Sequence, residues 1–318
     1  STGFKTTLYS NANVNGRSYI YMAIRRGPLA APTDATKIFA IDNQTASSAP
    51  FLTSNFPVDF VLRKDTAGSN SEIMSRLTQG KGLFANSTSA EQSDSVAQFD
   101  FSDGCLDNTS TDTSRYGWMW KRAPSYFDVV TYTGTGAGTV PHNLTVPPEM
   151  MWVKVRSQGG NWFVYHKDLA IGEYLELNTN SSKSTYNMWN NTAPTATNFS
   201  VGAFTGQSGH NFIACLFASV AGVSKVGSVN VNSTSDFDVD CGFSNGARFV
   251  LVKSTNINGH WAFVDTARGI ASSGGSPTLY LSLTQGQASR DWIKPYSSGF
   301  TIKGSYWNGY NLIFYAIA

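Results

Sequence analysis

Phe212-Ile213-Ala214-Cys215-Leu216-Phe217-Ala218 is a short apolar run with three counterparts elsewhere in the chain. They read Tyr19-Ile20-Tyr21-Met22-Ala23-Ile24-Arg25, Tyr116-Gly117-Trp118-Met119-Trp120-Lys121-Arg122 and Leu312-Ile313-Phe314-Tyr315-Ala316-Ile317-Ala318. The four runs start at residues 19, 116, 212 and 312, so they recur at intervals of 97, 96 and 100 residues. A period that steady marks a tandem array of similar modules. Runs of about 5–8 apolar residues bounded by Gly, Asn, Ser and Pro clusters read as strands. No stretch carries a helical period over 11 or more residues.

Other features keep the same phase. Phe60-Val61-Leu62-Arg63-Lys64 returns as Met151-Trp152-Val153-Lys154-Val155 and as Phe249-Val250-Leu251-Val252-Lys253. Trp162-Phe163-Val164 is matched by Trp261-Ala262-Phe263-Val264, and Trp189 by Trp292. Gly3-Phe4-Lys5, Phe199-Ser200-Val201 and Gly299-Phe300-Thr301-Ile302-Lys303 precede the closing runs. Many short strands at regular spacing predict an all-β chain of tandem β-sandwich, jelly-roll-like modules, each about 97 residues long. The phase divides the chain into residues 1–26, the end of a preceding repeat, and full repeats over 27–123, 124–218 and 219–318. On this reading Ser1 is a cut inside a longer array and Ala318 a natural C-terminus; the alternative is a permuted first module completed by the opening strands. The modules are expected to stack as spacers, each with its own core and contacts to its neighbours.

The composition narrows the function classes. The 318 residues are 41% hydrophobic and 13% aromatic, enough for packed cores, yet only 14% are charged, with a net charge of +2. The surface is therefore neutral and polar, as suits an extracellular module. Basic pairs such as Arg25-Arg26, Arg63-Lys64 and Lys121-Arg122 are separated by neutral sequence and form no stripe, which argues against nucleic acid as a partner. No run approaches about 18 apolar residues, so membrane insertion is not expected. Cys105, Cys215 and Cys241 show no C-x-x-C spacing, and Cys215 reads as a small buried hydrophobe.

Several stretches resemble tail-fibre-like structural proteins of tailed bacteriophages. They are Lys121-Arg122-Ala123-Pro124-Ser125-Tyr126-Phe127-Asp128-Val129-Val130, Val140-Pro141-His142-Asn143-Leu144, Pro148-Glu149-Met150-Met151-Trp152, Gly242-Phe243-Ser244-Asn245-Gly246-Ala247-Arg248 and Asp265-Thr266-Ala267-Arg268-Gly269. Met22-Ala23-Ile24-Arg25-Arg26-Gly27-Pro28 fits the same pattern. The resemblance covers nearly the whole chain. It implies a concanavalin-like β-sandwich and a place in the virion tail, extracellular after release. It also implies other virion or tail proteins and a host surface glycan or protein as partners, and a homo-oligomer, with a trimer as the guess. It supplies no catalytic residues and no cofactor. The alternatives are a capsid-associated or tail scaffold protein and a tailspike polysaccharide depolymerase.

The residue-level search for a site gives little chemistry. His142, His166, His210 and His260 fall at different phases with no metal-binding spacing and read as surface or turn residues. Glu173 and Glu176, three apart, point to opposite faces of a strand, unlike the paired carboxyls of a glycosidase. Asp236, Asp238 and Asp240 alternate along one face, where they form either a Ca²⁺ site or a solvated edge that discourages strand addition. Trp162, Trp189, Trp261 and Trp292 recur in phase and are assigned to packing. Tyr306, Trp307 and Tyr310 differ. Asn308-Gly309 predicts a two-residue hairpin turn that presents the three rings at a tip, as a receptor-binding site. The matching stretch of the preceding repeat, Thr205-Gly206-Gln207-Ser208-Gly209-His210, has no such ring.

Overall fold

A computed structural model describes residues 30–94, 97–105 and 111–318. The run at Tyr19 and the segment at Gly3, with the whole of residues 1–26, lie outside the described residues. The described chain is all β apart from short helical turns, the longest spanning Gly304–Trp307.

Three antiparallel six-stranded sheets share one topology. The first runs Phe39–Gln44, Asp112–Trp120, Phe60–Asp65, Glu72–Ser75, Lys81–Phe84, Gln92–Ser93 in spatial order. The second runs Phe127–Thr133, Asn211–Phe217, Met150–Val155, Trp162–His166, Glu173–Glu176, Ser184–Thr185. The third runs Ser224–Asn230, Asn311–Ile317, Phe249–Ser254, Ala262–Asp265, Ser276–Tyr280, Ala288–Arg290. In each, the repeated apolar run closes the module by pairing between the module's first strand and its Phe60-type strand.

Pairing corrects the sequence alignment by one residue. Phe60 lies opposite Trp120, Met150 opposite Phe217, and Phe249 opposite Ile317. Met150, not Met151, is therefore the counterpart of Phe60, and Lys64, Lys154 and Lys253 become equivalent. A one-residue slip exchanges the two faces of a strand, and a continuous apolar run does not reveal the slip because both faces are apolar.

Both faces are apolar because both are covered. Phe60, Leu62, Trp118 and Trp120 point to one side, with Trp152, Cys215 and Phe217 of the second module and Phe249, Leu251 and Tyr315 of the third; all belong to a single buried cluster. The intervening residues point outward into three separate clusters, which contain Val61 and Met119, Met151 and Leu216, and Val250 and Ala316. Small sheets cover these outer faces: Leu52–Thr53 with Gly104–Cys105, Gly138–Pro141 with Asn198–Val201, and Phe237–Asp240 with Gly299–Ile302 and Ile293–Tyr296. Each module is thus a β-sandwich whose larger sheet lends its other face to a core common to all three. Rings carry that core across the boundaries. Phe39 lies 5.6 Å from Phe249, Phe60 5.4 Å from Phe127, and Phe217 5.1 Å from Tyr315.

The modules close in cyclic order, first onto third, second onto first, third onto second. The backbone N–H groups of Glu91, Lys183 and Gln287 donate to the carbonyls of Arg156, Thr255 and Thr66, at 2.9, 2.9 and 2.8 Å. Trp162 Nε1 donates to Phe84 O and Trp261 Nε1 to Glu176 O, while the equivalent Ser71 Oγ donates to Tyr280 O. Lys64 Nζ reaches Leu283 O, Lys154 Nζ reaches Thr88 O, and Lys253 Nζ reaches Asn180 O and Ser181 O. All three lysines are fully buried, and burial pulls each ammonium down to about 8, so each remains mostly charged at neutral pH. A buried ammonium surrounded by carbonyls is a satisfied one. Between the first and third modules, Trp118 Nε1 also donates to Asp265, which is buried and paired with Arg268 at 2.6 Å. The expectation of stacked modules, each with its own core and contacts to its neighbours, is therefore corrected: the third module packs directly on the first and the three share a core, because each larger sheet leaves an apolar inner face that the other modules cover.

Candidate functional site

A pocket of about 340 Å³ opens on the third module, outside the shared core. The sequence places it there through three local choices. Ala262 and Thr278 are small residues on adjacent strands of the larger sheet, and they leave room above that sheet. The turn Gly304–Trp307 folds over this space and seats Trp307 against Trp292, with ring centroids 5.5 Å apart. Gly309, with φ of +86°, reverses the chain so that Tyr310 packs on Trp307 at 5.2 Å.

Tyr306, Trp307 and Tyr310 all line this pocket, and they do so in unequal ways. Tyr306 is 45% exposed, whereas Trp307 is only 7% exposed. The predicted hairpin turn is corrected to a helical turn followed by the reversal at Gly309. The predicted tip ring becomes a wall of the outer-sandwich cluster, because Trp292 and Tyr310 supply the packing partners that sequence did not assign to Trp307. The indole N–H of Trp307 has no acceptor among the described residues.

Two further lining residues, Tyr280 and Arg290, had no sequence signal, and a third, His260, carried only a surface or turn reading. His260, Tyr280 and Arg290 come from separate strands and loops that pairing brings together. Arg290 Nε donates to the Tyr280 hydroxyl at 3.2 Å, and that bond, with the nearby phenols, raises the guanidinium pKa. Its two terminal nitrogens have no partner among the described residues. His260 Nδ1 lies 2.9 Å from Ser282 Oγ, and burial together with the charge of Lys253 lowers its pKa, favouring neutral imidazole. Among the described residues, no carboxylate lines the pocket.

The second module treats the same place differently. Strand pairing sets Phe163 where the third module has Ala262, and Tyr174 where it has Thr278. These rings fill the space, with Phe163 and Tyr174 5.6 Å apart. Gly206 occupies the Trp307 position, where a Cβ would collide with Gly136 O. The result is a platform topped by Tyr186 and Phe204, 45% and 51% exposed.

The remaining candidates separate. Asp236 pairs with Lys294 at 2.8 Å and accepts from Gly304 N–H, Asp238 accepts from Thr301 Oγ1, and Asp240 accepts from Gly242 N–H. The strand holding Asp238 and Asp240 is the edge of its sheet, and no group of three metal-ligating side chains forms among the described residues. Two histidines depart from the surface reading. His166 is fully buried between modules with its pKa down to about 4, and His142 is buried under Phe199 with Nε2 bonded to Thr195 O. Apolar neighbours brought in by folding, not local sequence, enclose both. Cys105, Cys215 and Cys241 are all buried. Trp162 and Trp261 belong to the shared core, and Trp189 and Trp292 to outer clusters.

Fold and site together define an all-β protein of three β-sandwich modules closed around a common core, with an aromatic pocket on the third. The chain belongs to the DUF7483 family, described as a domain of unknown function, whose profile matches residues 35–318. That match takes in all three modules. No curated protein matches the chain.

Proposed function

We propose that this protein is a virion structural protein, a tail fibre or tail-associated adhesin that contacts the host cell surface, binding a surface glycan through the pocket of the third module. The observation that carries the reading is the pocket itself: several rings, one of them a well-exposed tyrosine, sit beside unpaired polar groups on a surface of low charge. Ring faces give a sugar apolar contact, and the polar groups around them fix its orientation. The closed three-module core gives such a site a rigid base. The resemblance to tail-fibre-like proteins supports a place in the virion.

The test is binding of the labelled chain to bacterial surface polysaccharides on a glycan array and to the corresponding cells. Saturable binding that Tyr306→Ala weakens at least tenfold, with an unchanged melting temperature, is the expected result. Binding unaffected by Tyr306→Ala would remove the pocket from recognition.

The exposed Tyr186 and Phe204 of the second module favour a second reading, a tail or capsid scaffold protein whose partners are other virion proteins. Loss of virion incorporation by Tyr186→Ser with Phe204→Ser, in a chain that binds no glycan, is the outcome that selects it.

A further inference from the structure

The chemistry of the pocket points to a more specific ligand than a glycan in general: we infer that it takes an acidic sugar, a uronic or sialic acid residue, with the carboxylate on Arg290. This rests on the glycan-binding reading above and deepens it.

Four observations converge. First, Arg290 is exposed at the pocket, and its Nε is already bonded to the Tyr280 hydroxyl. That bond orients the guanidinium and leaves both terminal nitrogens unpaired among the described residues, the planar fork that a carboxylate meets bidentately. Second, among the described residues no carboxylate lines the pocket to compete for the fork. Other arginines of this chain pair with acids, as Arg122 does with Asp128 and Arg156 with Glu91. Third, the buried ammonium of Lys253 lies close enough to His260 to lower its pKa, which puts a second positive charge near the pocket. Fourth, Tyr306 lines the pocket with nearly half of its surface exposed, which leaves ring surface for stacking. A pyranose ring stacked on Tyr306 would present its carboxylate to Arg290 and its hydroxyls to His260, Asn258 and Gln285. The pocket volume of about 340 Å³ suits one or two sugar residues. The platform of the second module lacks this chemistry. Its counterpart of Arg290 is Tyr186, as the pairing of Tyr174 with Ser184 and of Thr278 with Ala288 places them.

The experiment is isothermal titration of the full chain with trigalacturonic acid, its methyl ester, an oligoglucuronate and a sialyl-lactose, with lactose as the neutral control. The methyl ester keeps the ring and removes the charge. The expected result is that at least one acid binds ten times more tightly, or better, than its uncharged counterpart. Arg290→Gln should then reduce that acid to the level of the counterpart while leaving the counterpart unchanged, and Tyr306→Ala should weaken both. Raising the salt concentration should reduce the acid's advantage. Equal affinity for acid and uncharged counterpart, no binding by any of the acids, or an Arg290→Gln protein that retains full preference would each overturn the inference. The two readings fail separately. Cell adsorption that persists in Arg290→Gln sinks the acidic sugar and leaves the adhesin. Acid binding by a chain that adsorbs to no cell leaves the pocket chemistry and sinks the adhesin.

Discussion

The second and third modules agree on one face and disagree on the other. On the inner face, Trp162 and Trp261 make the same hydrogen bond to the preceding module, and Lys154 and Lys253 reach equivalent turns. On the outer face, the pair Phe163 and Tyr174 is replaced by Ala262 and Thr278, and a filled platform becomes an open pocket. In these two modules the positions that hold the modules together each serve two modules at once. Positions above the outer sheet answer to solvent and to what binds there, and the four differences at Phe163/Ala262, Tyr174/Thr278, Tyr186/Arg290 and Gly206/Trp307 give a different surface.

The comparison breaks most visibly if a module is made to stand alone. A fragment of residues 124–218 exposes Trp152, Trp162 and Phe217, which the other modules cover in the whole chain. It is expected to lack a cooperative thermal transition by circular dichroism and to bind a hydrophobic dye, while the full chain melts in one transition. A well-folded fragment would show that the shared core is dispensable.

Single substitutions on the inner face grade the contacts. Trp261→Ala removes a fully buried ring and its hydrogen bond to Glu176 O, at an expected cost of about 3–5 kcal/mol in denaturant unfolding. The equivalent Ser71→Ala loses one hydroxyl and should cost about 1 kcal/mol. On this expectation the cyclic equivalence is one of geometry and not of energy; similar costs at the two positions would overturn it.

His166 adds a pH dependence. Its pKa falls from 6.5 to about 4 because burial disfavours the imidazolium, so between these values the unfolded chain binds a proton that the native chain does not. Stability should be complete above pH 6.5 and decline as the pH falls towards 4, by at most about 3 kcal/mol. Melting temperatures measured from pH 8 to 4.5 should fall less steeply for His166→Gln than for the natural chain; parallel curves would assign the loss elsewhere.

The smallest effect belongs to the outer face. Phe204→Ser removes a half-exposed ring and should leave stability within about 0.5 kcal/mol, as should Tyr306→Ala. Only the second should reduce glycan binding. Equal loss of binding in both would erase the distinction between platform and pocket.

The sequence by itself determined the all-β character, the tandem period and the closing strands. These follow from local apolar runs and the Gly, Asn, Ser and Pro clusters between them, which act over a few residues. The aromatic candidates Tyr306, Trp307 and Tyr310 were legible for the same reason, as rings beside a chain reversal that the previous repeat lacks. Only the tertiary structure decided what covers each strand. An apolar run buried on both faces reads alike whether its second face meets a private sheet or two other modules, so neither the shared core nor the one-residue register could be read from it. Tertiary contact likewise turned His166 into an interior residue and Trp307 into a pocket wall. It also brought His260, Tyr280 and Arg290 together, since strand pairing joins residues far apart in the chain and no spacing within one segment records that juxtaposition.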